Sequence, residues 1–421
     1  MSETRKFFAG VDWASQKHDV WLTDGTGERL GLRNFSHGGE GLKQLCDWLI
    51  AASEARPEDI HIAIEVPHGP VVETLLERGF HVYAINPKQL DRFRDRFTMA
   101  GAKDDSRDAE TMASSLRTDM RAFRRLGLSD AIIIELREWS RMAEDLTGEK
   151  TRLANRIREQ LWRYYPQMIE LAGDVSANWV LDLWDAVPTP AKAARVREKT
   201  VARILKSHRI RRIDAAGALA ILRQEALTVA PGTTEAATAH IATLRERLAL
   251  VNRQLRQAHA ELDRINNQLC EPLPAKEGET EPGQIAEQRD AAILVTLPGV
   301  GRITLATLLA EAPDALQRRD YHALRCLSGT APVTRRSGKS RIVVRRLACH
   351  PRLRNALYHW ARTAVQHDKR SRIKYDALRS RGHSHTRALR TVGDRLLKIA
   401  CSMLKSGTMY NPSLAAQNIA C

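Results

Sequence analysis

Apolar and polar positions recur along the first 120 residues with two different periods. Phe7-Phe8-Ala9-Gly10-Val11-Asp12-Trp13 is a short apolar run ending on a carboxylate, and Asp19-Val20-Trp21-Leu22-Thr23 follows it. Asp24-Gly25-Thr26-Gly27 is a turn signal, and a third strand over residues 29–35 completes a meander. The period then lengthens. Over residues 39–52, Leu42, Leu45, Trp48 and Leu49 take helical spacing. His61-Ile62-Ala63-Ile64-Glu65-Val66 is a compact apolar strand, again closing on an acid. Residues 71–78 read as helix, 80–85 as strand and 87–97 as helix. Lys103-Asp104-Asp105-Ser106-Arg107-Asp108-Ala109 opens a further helix running to Leu116. A meander followed by alternating helix and strand predicts one α/β domain over residues 1–125.

Residues 126–270 read as helical. Residues 132–165 form a long amphipathic stretch with Leu146, Leu153, Ile157 and Leu161 as its stripe. A segment around Trp179, Trp184, Pro188 and Pro190 interrupts it, and residues 192–210 form a basic helical stretch. Ile241, Leu244, Leu248, Val251, Leu255, Ala258, Leu262, Ile265 and Leu269 then alternate steps of three and four. One helix packed inside a bundle would show this pattern; a coiled-coil hairpin or a dimer seam is the sharper expectation. Residues 271–283, rich in Pro, Glu and Gly, read as a linker, and 284–421 as a basic C-terminal domain.

Charge sharpens that division. Lys and Arg number 66 against 50 acids among 421 residues, a net +16, but residues 318–405 alone hold 23 Lys/Arg against four Asp. Such a concentration expects a polyanionic partner, nucleic acid above all. Six cysteines without a CxxC pair argue against a zinc ribbon or disulfide framework. With no apolar run of membrane-spanning length, the sequence reads as a cytoplasmic protein without a membrane partner.

The candidate chemistry lies in two places. Asp12 and Glu65 both lie at C-terminal strand ends, where open α/β sheets gather their sites. Asp105 and Asp108, three apart, share a helix face. Any one of these acids alone reads as a solvated terminus. Together, Asp12, Glu65, Asp105 and Asp108 would make an all-oxygen, anionic pocket suited to Mg²⁺ or Mn²⁺. Lys103 and Arg107 would hold phosphate there or pair with the acids. In the C-terminal region, Leu297-Pro298-Gly299-Val300-Gly301 before a helix resembles a helix-hairpin-helix turn, with Gly299 and Gly301 offering amides to phosphate. Thr334-Arg335-Arg336-Ser337-Gly338-Lys339-Ser340-Arg341 reads as an exposed loop, with Arg345 and Arg346 just beyond. Ser337 is either a hydrogen-bond donor in a phosphate grip or a nucleophile toward phosphorus; the residues by themselves favour the first.

Seven segments in order, GVDWA, AIEVPHG, INP, KDDSRDA, LPGVG, LSGTAP with RRSGKSR, and RNALYHWA, resemble the DEDD-type insertion-sequence transposases of the IS one-ten family, relatives of the Piv/MooV DNA invertases. The resemblance touches both ends of the chain and about two thirds of its length. It implies an N-terminal RuvC-like (RNase H-type) domain whose acids, here Asp12, Glu65, Asp105 and Asp108, bind Mg²⁺. It further implies a C-terminal transposase domain whose nucleophilic serine falls on Ser337, reversing the preference above. Family members link this serine to a DNA phosphate, often with acids from another protomer of a dimer or tetramer. They also use a structured non-coding bridge RNA as guide in their prokaryotic hosts. Arg335 and Arg336 stand where relatives often carry an acid or amide, which leaves Ser340 as the alternative hydroxyl. Ser337 is preferred because it directly precedes Gly338. A RuvC-like metal-dependent junction nuclease and a non-catalytic DNA/RNA-binding protein are the rival expectations.

Overall fold

The computed structural model describes residues 6–95, 105–127, 130–271, 286–338 and 340–412, with the side chains of Lys88, Asp105 and residues 286–289 outside that description. Lys103, Lys339 and nearly all of the linker 271–283 also lie outside it. The chain divides into two compact units, residues 1–130 and 131–421.

The first unit is built on a sheet of β1 (Phe7–Trp13), β2 (Lys17–Thr23), β3 (Arg29–Ser36), β4 (Ile60–Ile64), β5 (His81–Ala84) and β6 (Arg124–Arg125). Their order is β3-β2-β1-β4-β5-β6. β1, β2 and β3 form the antiparallel meander, β4 and β5 run parallel to β1, and β6 closes the edge antiparallel. The two-residue β6 carries no periodic signal in the sequence. Asp24 fixes the β2–β3 turn, its Oδ1 accepting from the amides of Thr26, Gly27 and Glu28 at 2.9 Å each.

The helices of this unit are α1 (Gly39–Ser53), α2 (Pro70–Glu77), α3 (Pro87–Arg94) and α4 (Asp105–Asp119). Alternation along each strand sorts them between the two faces. Phe7, Ala9 and Val11 of β1 and Ile60, Ile62 and Ile64 of β4 pack with Leu45 and Leu49 of α1 and Val71 and Leu75 of α2. Phe8 and Ala63 face the other way, toward Leu90 of α3 and Met112 and Leu116 of α4. Gly10 lets α4 lie directly on β1: a Cβ there would stand 1.9 Å from the Ala109 carbonyl oxygen. Because Phe8 meets Met112 and Leu116 while Gly10 meets Ala109, the start of α4 points toward the Asp12 end of the strand.

The second unit is organised on two long helices, α5 (Ala131–Tyr164) and, after five shorter ones, α11 (Thr233–Cys270). The shorter ones are α6 (Pro166–Ala172), α7 (Asn178–Ala186), α8 (Pro190–Arg195), α9 (Glu198–Ser207) and α10 (Ala215–Leu222). Ile133, Leu136 and Ala143 pack with Ala258 to Leu269, whereas Leu153, Ile157 and Leu161 pack with Ile241 to Val251. The pair is therefore antiparallel, and the stripe, expected in a bundle, a hairpin or a dimer seam, is used within the chain against α5. Buried Asn252 ties α11 to the start of α7, donating from Nδ2 to the Ser176 carbonyl at 2.9 Å and to Asn178 Oδ1 at 2.7 Å. The segment expected to interrupt the helices is itself helical, as α7.

The rest of this unit comprises α12 (Ala286–Leu294), α13 (Arg302–Glu311), α14 (Pro313–Gln317), α15 (Tyr321–Leu327), α16 (Pro351–His367), α17 (Lys369–Ser380) and α18 (His385–Ser406). They share a core with the outer halves of α5 and α11, centred on fully buried Trp360. Between α15 and α16 stand β7 (Val333–Ser337) and β8 (Ser340–Val344), an antiparallel pair. The stretch read as a loop is thus a hairpin: β-branched Val333, Ile342, Val343 and Val344 favour strands, and Gly338 at φ +54° makes the turn.

Candidate metal centre and serine hairpin

In the first unit the parallel register pairs Val11 with Ile64, so Asp12 and Glu65 occupy the next, adjacent positions on neighbouring strands. Strands of one sheet lie about 4.8 Å apart, which brings the two carboxylates to one strand-end neighbourhood. Alternation places both on the face covered by α4. Asp19 of β2 pairs directly with Asp12 and shares that face, held by Asn34 Nδ2 at 3.1 Å. The sequence reading missed this acid, although its period-two position opposite Asp12 was available.

Asp108 lies in the first turn of α4 and is largely buried. Arg94, at the end of α3, clamps it: Nη2 donates to Oδ2 at 2.9 Å and Nε stands 2.6 Å from Oδ1. Arg94 Nη1 also holds Asp91 at 2.7 Å. The guanidinium supplies positive charge beside Asp108 where a cation otherwise would. Sequence reasoning missed Arg94; only its i,i+3 relation to Asp91 was visible locally. Asp105 opens α4 by position, Arg107 is exposed, and Lys103 lies outside the described residues. Among the described residues, no three carboxylates, histidines or cysteines stand close enough together to hold a metal ion. The donor chemistry, oxygen only and anionic, fits a hard divalent cation, with Arg94 as the group it would displace.

In the second unit Ser337 ends β7 at the hairpin tip, directly opposite Ser340. Arg335 lies on the same face, and Arg336 faces Arg341 across the ladder on the other. Like charges directly opposite each other are unfavourable in a sheet, and none of these arginines has a carboxylate within ion-pairing distance among the described residues. A polyanion would relieve that repulsion. Arg345 and Arg346 follow β8; Arg345 is exposed and Arg346 half-buried.

The glycine turn before α13 is shaped by packing. Gly299, at φ +81°, sits against α16, where a Cβ would stand 2.7 Å from the Ala364 amide nitrogen. Trp360 Nε1 donates to the Pro298 carbonyl at 2.9 Å. Gly301 is the exposed residue just before α13. Of the two glycines expected to bind phosphate, Gly299 is thus used to seat α16, and Gly301 stays open.

An α/β unit with acids at parallel strand ends, in one chain with a strongly basic helical unit, defines the class of nucleic-acid-processing proteins. Comparison with known proteins makes this specific. Residues 9–166 match a family model described as "Transposase", of the DEDD type, and residues 291–376 match that of the "Transposase IS116/IS110/IS902 family". A Streptomyces coelicolor mini-circle protein named as a transposase for IS117 is 32% identical over 93% of this chain and 92% of its own length. A second S. coelicolor protein, from insertion element IS110, is 29% identical over 94% of this chain and 98% of its own. A Sinorhizobium fredii protein named as transposase y4uE is 67% identical over 216 residues, 51% of this chain and 60% of that protein. The chain belongs to the IS116/IS110/IS902 transposase family, as the ordered motifs implied, and is a transposase. Among the described residues no helix is long and apolar enough to cross a membrane.

Proposed function

We propose that this transposase cleaves and rejoins DNA through a covalent link between Ser337 and a strand phosphate, and that its first unit is a RuvC-like metal centre. The observation that carries the reading is the position of Asp12 and Glu65 at adjacent strand ends, on the face covered by α4, in a chain of this family. Asp12, Glu65, Asp105 and Asp108 would hold Mg²⁺, or Mn²⁺ in its place. When bound, such an ion supplies charge neutralisation to a reacting phosphodiester. Arg94 holds the Asp108 carboxylate in place, and would have to release it for Asp108 to serve as a ligand.

In the second unit, Ser337 Oγ forms a bond to phosphorus as the bond to the departing deoxyribose oxygen breaks. The serine hydroxyl loses its proton, the departing oxygen gains one, and the ester so formed keeps the bond energy for rejoining. Arg335, Arg336, Lys339 and Arg341 grip the flanking phosphates, with Arg345, Arg346 and the Gly301 amide further along. Lys103 and Arg107 do the same beside the acids. A homo-oligomer brings two DNA ends together, and a structured non-coding RNA supplies sequence choice, consistent with a basic surface that carries no sequence-reading motif.

The test is capture of a protein–DNA adduct on a denaturing gel, with Mg²⁺, element-end DNA and its flanking non-coding RNA. Wild type should form an adduct that Ser337→Ala and Asp105→Asn both lose. Persistence in Ser337→Ala moves the nucleophile to Ser340. Cleavage without any adduct refutes the serine link in favour of a hydrolytic junction nuclease.

A further inference from the structure

A cavity of about 220 Å³ opens at the base of the serine hairpin. Thr330, three residues before β7, and Arg345, the first residue after β8, line it together with Arg354, Asn355 and Tyr358 of α16 and Arg390 of α18. Three guanidinium groups therefore converge on one small space.

The usual partners of such arginines are engaged elsewhere. Asp394, one turn after Arg390 on α18, would be its natural ion-pair partner. It is instead held by Arg325, with Nε at 2.7 Å and Nη2 at 3.0 Å, and it accepts from Tyr321 and Thr330. Arg345 and Arg390 have no carboxylate within ion-pairing distance among the described residues. Among the described residues Arg354 reaches the Cys349 sulfur, at 3.9 Å, and no carboxylate. Burial first, then the charges of Arg345 and Arg387, holds Arg390 below its ordinary pKa. A cluster kept at that cost is of the kind proteins reserve for an anion.

We propose that this pocket binds one nucleotide unit of an unpaired DNA strand, its phosphate held by Arg345, Arg354 and Arg390 and its nucleoside against Tyr358. Arginine forks match phosphate oxygens, and an aromatic ring offers a face to any base. A space of this size takes a single extruded nucleotide and excludes a duplex. DNA is favoured over RNA because the chain is a transposase. Four residue steps separate Val333 from Ser337, about 13 Å at a strand's rise of about 3.3 Å per residue. The pocket thus anchors the strand a few nucleotides from the serine. The proposal rests on the DNA-handling reading above but not on the serine chemistry.

Fluorescence anisotropy of the full chain with a labelled 12-nucleotide single-stranded DNA tests it. Arg354→Gln with Arg390→Gln should weaken binding at least tenfold and flatten the salt dependence by about 0.7 for one lost phosphate contact. Lys199→Gln with Arg203→Gln, which removes equal charge from α9, should change binding less than threefold. Binding is read without Mg²⁺ and needs no covalent step, which separates this test from failure of the adduct reading. Without ligand the double variant should melt at or above the wild-type temperature, because repulsion is relieved, and inorganic phosphate should raise the melting point of wild type alone. Arg354→Lys with Arg390→Lys, which keeps charge but loses the fork, should show an intermediate loss. Equal weakening in the α9 control, or a lower melting temperature in the ligand-free variant, overturns the pocket. Loss confined to an RNA 12-mer of the same sequence overturns the DNA assignment.

Discussion

Gly10→Ala places a methyl carbon 1.9 Å from the Ala109 carbonyl oxygen and 2.8 Å from the Ala113 amide nitrogen. Both neighbours are helix backbone, so no rotamer change relieves the clash. Ordinary contact begins near 3.5 Å, so α4 must withdraw from β1 by about 1.5 Å. Overpacking of a well-filled core costs about 1–3 kcal/mol. Here the withdrawal also loosens Met112 and Leu116 against Phe8, which places the loss near the top of that range, about 3 kcal/mol. For a unit of this size that is roughly 10 °C in melting temperature. The helix that moves carries Asp105 and Asp108, and a displacement of about 1 Å at a reacting centre can cost about a hundredfold in rate. Thermal unfolding of the full chain, followed by circular dichroism, and the adduct assay would be run side by side. Gly39→Ala, whose added carbon meets nothing within 4 Å, is the control and should be within about 0.5 kcal/mol of wild type. A Gly10→Ala protein melting with wild type would refute the seating of α4 on β1, and with it the placement of the acids.

Arg94→Gln leaves the Asp108 carboxylate, 13% exposed, without its counter-charge and should cost about 2 kcal/mol. If Asp108 ligates a cation, millimolar Mn²⁺ should raise the melting temperature of this variant more than that of wild type; equal shifts would remove Asp108 from the metal set. His61 is held down to a pKa of about 4 by burial first and by neighbouring His81 next, against 6.5 unfolded. The unfolded chain therefore takes up the proton first, and about 3 kcal/mol of stability, fully present above pH 6.5, is lost as pH falls toward 4. His61→Phe, which keeps a ring stacked on Phe8, should flatten that slope in urea titrations, and an unchanged slope would assign it to other groups. Leu248→Ala should cost about 2–5 kcal/mol without changing the mass measured by light scattering, because the stripe is used inside the chain. A shift in oligomeric state would show that α11 also serves as a seam between copies.

The sequence by itself determined the local elements and their chemistry. The short apolar strand runs and the three-four stripe on α11 are properties of contiguous residues, and each reappears in the structure within a few positions. The strand-end acids Asp12 and Glu65 were legible for the same reason, since a carboxylate closing an apolar run is a local signal. Family membership was legible because its motifs are short local runs that occur in a fixed order along the chain. Contacts between distant residues were decided by the tertiary structure alone. Arg94 reaches Asp108 across fourteen residues, Gly299 makes room for Ala364, and Asp394 turns to Arg325 and leaves Arg390 without a carboxylate among the described residues. The stripe on α11 could not name its partner, since intrachain and interchain seams present the same heptads; packing against α5 decided it. The serine stretch looked like a loop because its charges outnumber its apolar positions. The hairpin forms through pairing between residues up to eleven apart, from Val333 with Val344 to Ser337 with Ser340. Spacing within one segment is written in the chain, whereas which segments meet depends on the burial and charge that all of them share once folded.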